Sequence, residues 1–337
     1  MRETTIIKDS ELEPYILSDD LAGKAKALLA QQKESWELLQ KGYSSLRSVQ
    51  VKTFEFDHFK IKVQFNPGRI VSSSAKVDEK SIKERKCFLC PDNLPESQKG
   101  ILYKDDYLLL CNPFPIFTEH FTLPKTSHVL QEIRSSFPAL LDFSRDLSRC
   151  YTVFYNGPKC GASAPDHLHF QAGEKSFMPI DSEYTEIKEN LGHKIIDSND
   201  LQVFAVDGYP GKFLSFESSS REALIKVFND FYGIFKEVSN SGTEEPMMNI
   251  LAFYENLRWH VLVFPRRKHR PSYFFMEGDD NILLSPASVD MGGVLITPLE
   301  KDFNKITKEN IIDIFKQVTL SDEAFGIVTE KLGKIYS

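Results

Sequence analysis

The chain lacks a long apolar run, an excess of positive charge and a dense set of cysteines. No stretch of its 337 residues approaches the roughly 18 consecutive apolar residues that a membrane-crossing helix requires. Its 41 Lys and Arg stand against 48 Asp and Glu, a net charge of −7. That balance argues against broad nucleic-acid contact; a phosphorylated small substrate has to be met by local positive charge. Five cysteines, two of them spaced as Cys87-Phe-Leu-Cys90, suit a reducing compartment better than a disulfide framework. The opening MRETTIIKDSELEP is too polar for a secretion signal. A cytoplasmic protein is therefore expected. What is present is a globular composition, 41% hydrophobic and 26% charged, in a chain long enough for one large domain or two ordinary ones.

One stretch carries most of the chemistry. Tyr155 to Gly173 reads YNGPKCGASAPDHLHFQAG. As a strand, it places His167, His169 and Gln171 on one face and Leu168 and Phe170 on the other. Two histidines and an amide, preceded by Asn156 and a loop holding Gly161 and Ser163, suit a phosphate-handling site. The plainer alternative is a strand with two surface histidines. Neutral imidazole is a good nucleophile toward phosphorus, and its pKa near 6.5 keeps it mostly unprotonated at neutral pH. Attack by His169 on an α-phosphate gives a phosphoramidate, and a second acceptor then removes the nucleotide. Gln171 cannot ionise but donates a hydrogen bond to a phosphate oxygen. It therefore favours transfer or phosphorolysis over hydrolysis. Ser163 and the backbone N–H groups around Gly161 are the candidates for binding non-bridging oxygens.

The surroundings follow from periodicity. A helix is expected from Ser18 or Asp19 to Lys41, with Gly42 as its stop. Val49 to Phe65 reads as a hairpin, closed by Asn66-Pro67-Gly68 and followed by Arg69. Arg69 is placed to reach a phosphate or ribose, although a lone loop arginine is more often solvated. Ser72 to Arg85 reads as a mobile polar connection. Strands are expected at Tyr107–Cys111 and Glu119–Pro124, and a helix within Phe137–Tyr151. The connection after Gly173 has little pattern. A hairpin follows over Leu201–Phe216, then a helix over Ser220–Val238, and strands at Met247–Phe253 and Leu257–Phe264. The basic run Arg266–Arg270 is a candidate, with Lys159 and Arg69, to supply charge to the site; the alternative for the run is a solvated turn. Ser285–Gly293 reads as a loop, and a C-terminal helix starts near Thr307. Asn156 precedes His167 by eleven positions, as Asn249 precedes His260. This is either a duplication, with Leu262 and Phe264 at the places of His169 and Gln171, or coincidence.

Cys87 and Cys90 have metal-ligand spacing, and His128 and His167 are candidates to complete a closed zinc site. Zinc there would be structural, pinning the N-terminal block against the motif strand; the alternative is a pair of reduced, buried thiols.

His167-Leu-His169-Phe-Gln171, with the lead-in Asn156…Gly161-Ala-Ser163-Ala-Pro165, resembles the histidine-triad superfamily in its branch of nucleotidyltransferases and phosphorylases. DHLHFQA and Gln64-Phe-Asn66-Pro-Gly-Arg69 are most similar to the GDP-hexose phosphorylase group. Pro265-Arg266 and Met291-Gly292-Gly293 look like second-half landmarks of the same branch. The resemblance implies an α+β, histidine-triad-like fold of two pseudo-repeated halves, each with an antiparallel sheet flanked by helices. A division at 1–48 (helical segment), 49–185 (first half, carrying the motif) and 186–337 (degenerate second half) is expected, packed as one unit. The resemblance makes His169 the nucleophile, with Gln171 and His167 beside it. It assigns substrate contacts to Asn156, Gly161, Ser163, Asn66, Arg69 and Arg266. Cys87, Cys90, His128 and His167 match the zinc ligands of the uridylyltransferase relatives, whereas GDP-hexose phosphorylases generally lack the Cys pair. The implied activity is nucleotidyl transfer from a nucleoside diphosphate sugar to phosphate or a sugar phosphate. The alternatives are a dinucleoside polyphosphate phosphorylase and a non-catalytic nucleotide-binding protein. A homodimer is expected by analogy alone.

Overall fold

The structure is a computed structural model describing residues 5–70, 79–198 and 200–337. Of the expected mobile connection Ser72–Arg85, positions 72–78 lie outside the described residues, and Glu79–Glu84 is a short helix.

After a short helical turn at Asp9–Leu12 come two longer helices, α1 (Leu21–Ser35) and α2 (Glu37–Ser45). Asp20 caps α1, its side chain accepting from the Gly23 N–H at 2.7 Å. One continuous helix stopping at Gly42 was expected. Instead the helix breaks at Trp36, whose backbone is extended. Gly42 sits inside α2 because a Cβ there would lie 2.0 Å from the Pro113 carbonyl oxygen; the residue permits a close approach rather than ending a helix.

Strands β1 (Gln50–Glu55) and β2 (Lys60–Phe65) form the expected hairpin. The first half then contributes β3 (Gly100–Tyr103), β4 (Tyr107–Cys111), β5 (His120–Pro124), α3 (Phe137–Asp146), β6 (Tyr151–Asn156) and β7 (His169–Glu174). The connection after Gly173 is not patternless. It forms α4 (Pro179–Leu191), which starts on a proline at its first position and buries Ile180, Tyr184 and Ile187, and then β8 (Gly192–Asp197). Strands β9 (Leu201–Val206) and β10 (Phe213–Ser218) follow. Next come α5 (Arg221–Val238), capped by Ser220, and the pair β11 (Met248–Glu255) and β12 (Arg258–Pro265). The Ser285–Gly293 loop contains a single turn, α6 (Ser288–Met291), before β13 (Val294–Thr297). The helix near Thr307 is α7 (Lys308–Val318), and α8 (Asp322–Ile335) follows it.

Two antiparallel five-stranded halves join edge to edge in one ten-stranded sheet, in the order β3-β4-β5-β7-β6-β11-β12-β10-β9-β8. The seam is the β6–β11 pair, where Asn156 lies opposite Asn249. The matched asparagines are thus a real structural correspondence, but the matched histidines are not. Asn249 pairs with Phe264 in β12, and His260 pairs with Phe253. In the first half Phe154 pairs with Gln171, so the same register carried two residues further sets His169 opposite Asn156. Phe264 therefore takes the place of His169, and Arg266 that of Gln171.

Directly opposed residues in an antiparallel sheet share a face. Leu110, Thr122, Gln171, Phe154, Leu251 and Leu262 are successive partners across six strands. They form a row on one face. Phe154, Leu251 and Leu262 in that row pack into a core with β2, α4, β13 and α7. The opposite face, including Leu168, Phe170, Val153 and Tyr155, packs under α1, α3, α5 and α8. A second sheet, β1-β2-β13, covers part of the first face. The part left open lies over β4, β5 and β7.

Candidate active site

A cavity of about 540 Å³ occupies that opening. Thr122, Gln171, Phe154 and Leu110 come from its sheet floor, and His169, Asn156, Gly161, Ser163 and Arg69 also line it. The structure thus brings most of the expected site residues together. Three are elsewhere. His167 precedes β7 and turns away. Asn66 is buried behind the turn, its Nδ2 donating to Gln64 Oε1 and to the Pro115 carbonyl, both at 3.3 Å. Arg266 is buried beneath the site. Its guanidinium donates to Asn249 Oδ1 and to the carbonyls of Pro286, Lys268, His269 and Val318. With every donor engaged, it holds the framework and has none left for a phosphate. From the same basic run it is Arg270 that lines the cavity.

His169 is 3% exposed. Its Nδ1 lies 2.8 Å from the His167 carbonyl oxygen. A carbonyl only accepts, so Nδ1 carries the proton and Nε2 keeps a lone pair. Burial holds the imidazole neutral, lowering its pKa to about 4. The backbone is held equally firmly. Beyond Phe154 and Gln171 the side chain of Gln131 takes over the β6–β7 bonding. Its Oε1 accepts from the His169 N–H at 2.8 Å, and its Nε2 donates to the carbonyls of Asn156 and His169 at 2.9 and 3.0 Å.

Gln171 is oriented by a residue that the sequence did not single out. The Ile116 N–H donates to His120 Nδ1 at 3.3 Å, and His120 Nε2 lies 2.9 Å from Gln171 Oε1. A backbone N–H only donates, so His120 carries its proton on Nε2 and gives it to the amide oxygen. The amide nitrogen of Gln171 is then the end left to donate into the cavity. Burial, with a smaller contribution from the Arg69 charge, lowers the His120 pKa to about 3. An isolated histidine in Glu119-His-Phe-Thr gave no periodic signal, and Gln131 gave none at all.

Asn156 Oδ1 accepts from Asn249 Nδ2 at 3.0 Å and from the Ser288 N–H at 2.8 Å. Its Nδ2 has no partner among the described residues. Gly161 has φ +98°, and a Cβ there would lie 2.5 Å from the Ala287 Cβ, so only glycine fits this turn. Arg69 donates to the Phe114 carbonyl at 2.7 Å. Its Nε is buried without a partner among the described residues, and burial lowers its pKa to about 10, leaving it cationic at neutral pH. Asp290 faces it from the second half. Both of its oxygens are engaged, by the Ala287 and Ile296 N–H groups at 2.8 and 3.0 Å, and burial raises its pKa to about 6.

Cys87, Cys90, His128 and His167 form a separate cluster, with ligand atoms all within 4.8 Å of one another. His167 Nε2 lies 2.7 Å from the Lys125 carbonyl and so carries the proton. Its Nδ1 lone pair faces Cys87 Sγ at 3.3 Å and Cys90 Sγ at 3.5 Å, while His128 Nδ1 is 3.2 Å from Cys90 Sγ. Two sulfurs and two imidazole nitrogens converging, with one ring oriented by a carbonyl, suit a tetrahedral metal ion.

The ten-stranded sheet of two joined halves is a fold shared with solved phosphorylase structures. More particularly, residues 185–336 match the family described as "GDPGP1-like, C-terminal domain", and residues 28–174 match a "Domain of unknown function (DUF4922)". The chain is similar to the yeast Ap4A phosphorylase Apa2 at 17% identity and a TM-score of 0.54, over 84% of this chain and 94% of that one. The structure of that yeast enzyme in complex with Ap4A aligns at 16% identity and a TM-score of 0.51, over 87% and 97%. At these identities the likeness is one of fold. No curated protein matches the chain in sequence. Among the described residues, no helix is long and apolar enough to cross a membrane.

Proposed function

We propose that the protein is a nucleotidyltransferase working through a covalent nucleotidyl-histidine, with a nucleoside diphosphate sugar as donor. The observation that carries this reading is the pair of fixed orientations in the cavity: the His169 Nε2 lone pair, and the Gln171 amide nitrogen beside it. His169 Nε2 attacks the α-phosphorus. The N–P bond forms as the bond to the bridging oxygen breaks, and sugar 1-phosphate leaves with that electron pair. Gln171 and Asn156 Nδ2 donate to the non-bridging oxygens, with Ser163 beside them, and Arg69 offsets the charge. Inorganic phosphate or a sugar phosphate then attacks the same phosphorus, breaking the N–P bond and regenerating neutral His169. A glutamine, which cannot ionise, does not activate water, so the nucleotide stays on the enzyme until an anionic acceptor arrives.

The GDPGP1-like match of residues 185–336 supports the nucleotide-sugar donor. A second reading, phosphorolysis of a dinucleoside polyphosphate, is supported by the extent of the fold likeness to the yeast Ap4A phosphorylase. Both run through His169. Zinc, when bound at Cys87, Cys90, His128 and His167, would act structurally, tying the 87–90 turn to the loop that precedes β7. The test is intact-mass spectrometry after incubation with ADP-, GDP- and UDP-hexoses and with diadenosine tetraphosphate, with and without phosphate. We expect a nucleotide adduct in wild type that phosphate discharges, and none in His169→Ala. Full turnover by His169→Ala would overturn the reading.

A further inference from the structure

The cavity is longer than the phosphate chemistry requires, and its far end is built differently. From Gln171 on β7 the floor runs through Thr122 on β5 to Leu110 on β4. That is two strand spacings, about 10 Å, the reach of a nucleoside from its α-phosphate to its base. Past Leu110, which pairs with Gly100 of β3, the chain rises into Gln98. The walls here are apolar: Trp36, Leu89 and Pro95 join Leu110. Trp36 is brought there by the break between α1 and α2.

Gln98 is only 9% exposed and lines this end. Its side-chain amide has no hydrogen-bond partner among the described residues. The amide therefore keeps both its donor and its acceptor free for a ligand in the cavity. Asn93 also lines the cavity and spends its Nδ2 on the Cys87 carbonyl at 2.9 Å, leaving its oxygen. Asp290, a carboxylate in the cavity wall, lies toward Arg69 and has both oxygens engaged.

We propose that this end of the cavity is a nucleobase subsite in which the Gln98 amide reads the base edge. Resting on the nucleotidyl-transfer reading, it places the nucleoside over β4 and leaves the Arg69 and Arg270 end for the group beyond the α-phosphate. One amide offers one donor beside one acceptor. Its partner is a base edge carrying the complementary pair, sandwiched by apolar walls that recognise only its flat faces. Gln98→Glu converts that pair into two acceptors. Guanine, with adjacent N1–H and N2–H donors, gains from the change, and adenine, which lacks such a pair, loses.

The experiment titrates full-length wild type, Gln98→Glu and Gln98→Leu with AMP, GMP and UMP, by calorimetry and thermal shift. Gln98→Glu is expected to raise the GMP-to-AMP affinity ratio about tenfold, roughly the worth of one net hydrogen bond. Gln98→Leu is expected to compress the differences among the three nucleotides. Gln98→Met, apolar and unbranched, serves as the removal variant should the leucine form not fold. Identical ratios in all forms, or no nucleotide binding by wild type, overturn the proposal. The two readings fail distinguishably. A wild type that binds nucleotide but forms no His169 adduct defeats nucleotidyl transfer. An adduct whose base preference ignores position 98 defeats the subsite.

Discussion

His120 is the residue whose removal best separates orientation from chemistry, because it reaches the proposed phosphate site through Gln171. With His120→Phe the Gln171 amide loses the donor that fixes its oxygen, and is free to turn that oxygen toward the phosphate. Adduct formation should slow by roughly 10²-fold, the scale seen when a single transition-state donor is lost, while nucleotide affinity changes less. Burst-phase kinetics against equilibrium binding checks this split. The same histidine has a pH signature. Its folded pKa of about 3 lies below the unfolded value near 6.5, so the unfolded chain binds more protons between those values. Its contribution is fully present above pH 6.5 and is lost as pH falls through that window. Denaturant unfolding of wild type and His120→Phe from pH 7 to pH 4 should show the variant losing less stability on acidification. Gly161 offers a second residue-scale prediction. Gly161→Ala meets both a positive φ and the Ala287 Cβ at 2.5 Å. It should cost at least ~1–2 kcal/mol and slow adduct formation, read by denaturant midpoint and by mass spectrometry.

At the scale of elements, local rules reached as far as local causes did. The β9–β10 and β11–β12 pairs, α5 and the His169/Gln171 alternation were legible because period and turn chemistry alone decide them. The start of β7 was not. His167 has the right parity for the strand face, but Cys87, Cys90 and the Lys125 carbonyl draw its ring away, and those partners are 42 to 80 positions distant in sequence. The break at Trp36 is equally invisible, since the buried site that takes its side chain is assembled from residues distant in sequence. Arg266 and Arg270 were indistinguishable as text, yet one is wholly engaged with carbonyls and the other faces the cavity. The Cys/His cluster carries the prediction for this scale. Elemental analysis should find about one zinc per chain, and Cys87→Ser should lose it together with several degrees of melting temperature. The loop Gly161–Asp166 would loosen with it, so adduct formation should fall by more than stability alone accounts for. Full metal occupancy in Cys87→Ser would remove this cluster as the site.

For the molecule as a whole, the consequential feature is the seam between β6 and β11. Asn156 faces the reactive cavity through its Nδ2, while its Oδ1 is held by Asn249. Asn249 Oδ1 is in turn held by Arg266. Arg266 also binds carbonyls of the 268–269 turn, the 286 loop and the end of α7. One buried cation therefore ties three segments of the second half to Asn156 of the first. In the second half Phe264 stands at the place of His169, and Arg266, at the place of Gln171, supports the other half's Asn156. Arg266→Met keeps much of the volume and removes every donor, stranding four carbonyls and the Asn249 oxygen in a dry interior. The cost should be about 3–5 kcal/mol, and it should not stay in the second half. Because the ten strands form one sheet, unfolding should remain a single transition shifted to lower denaturant, with nucleotide affinity weakened in the protein that is still folded. Two separate transitions in Arg266→Met would mean that the halves stand independently and that the seam does not couple them.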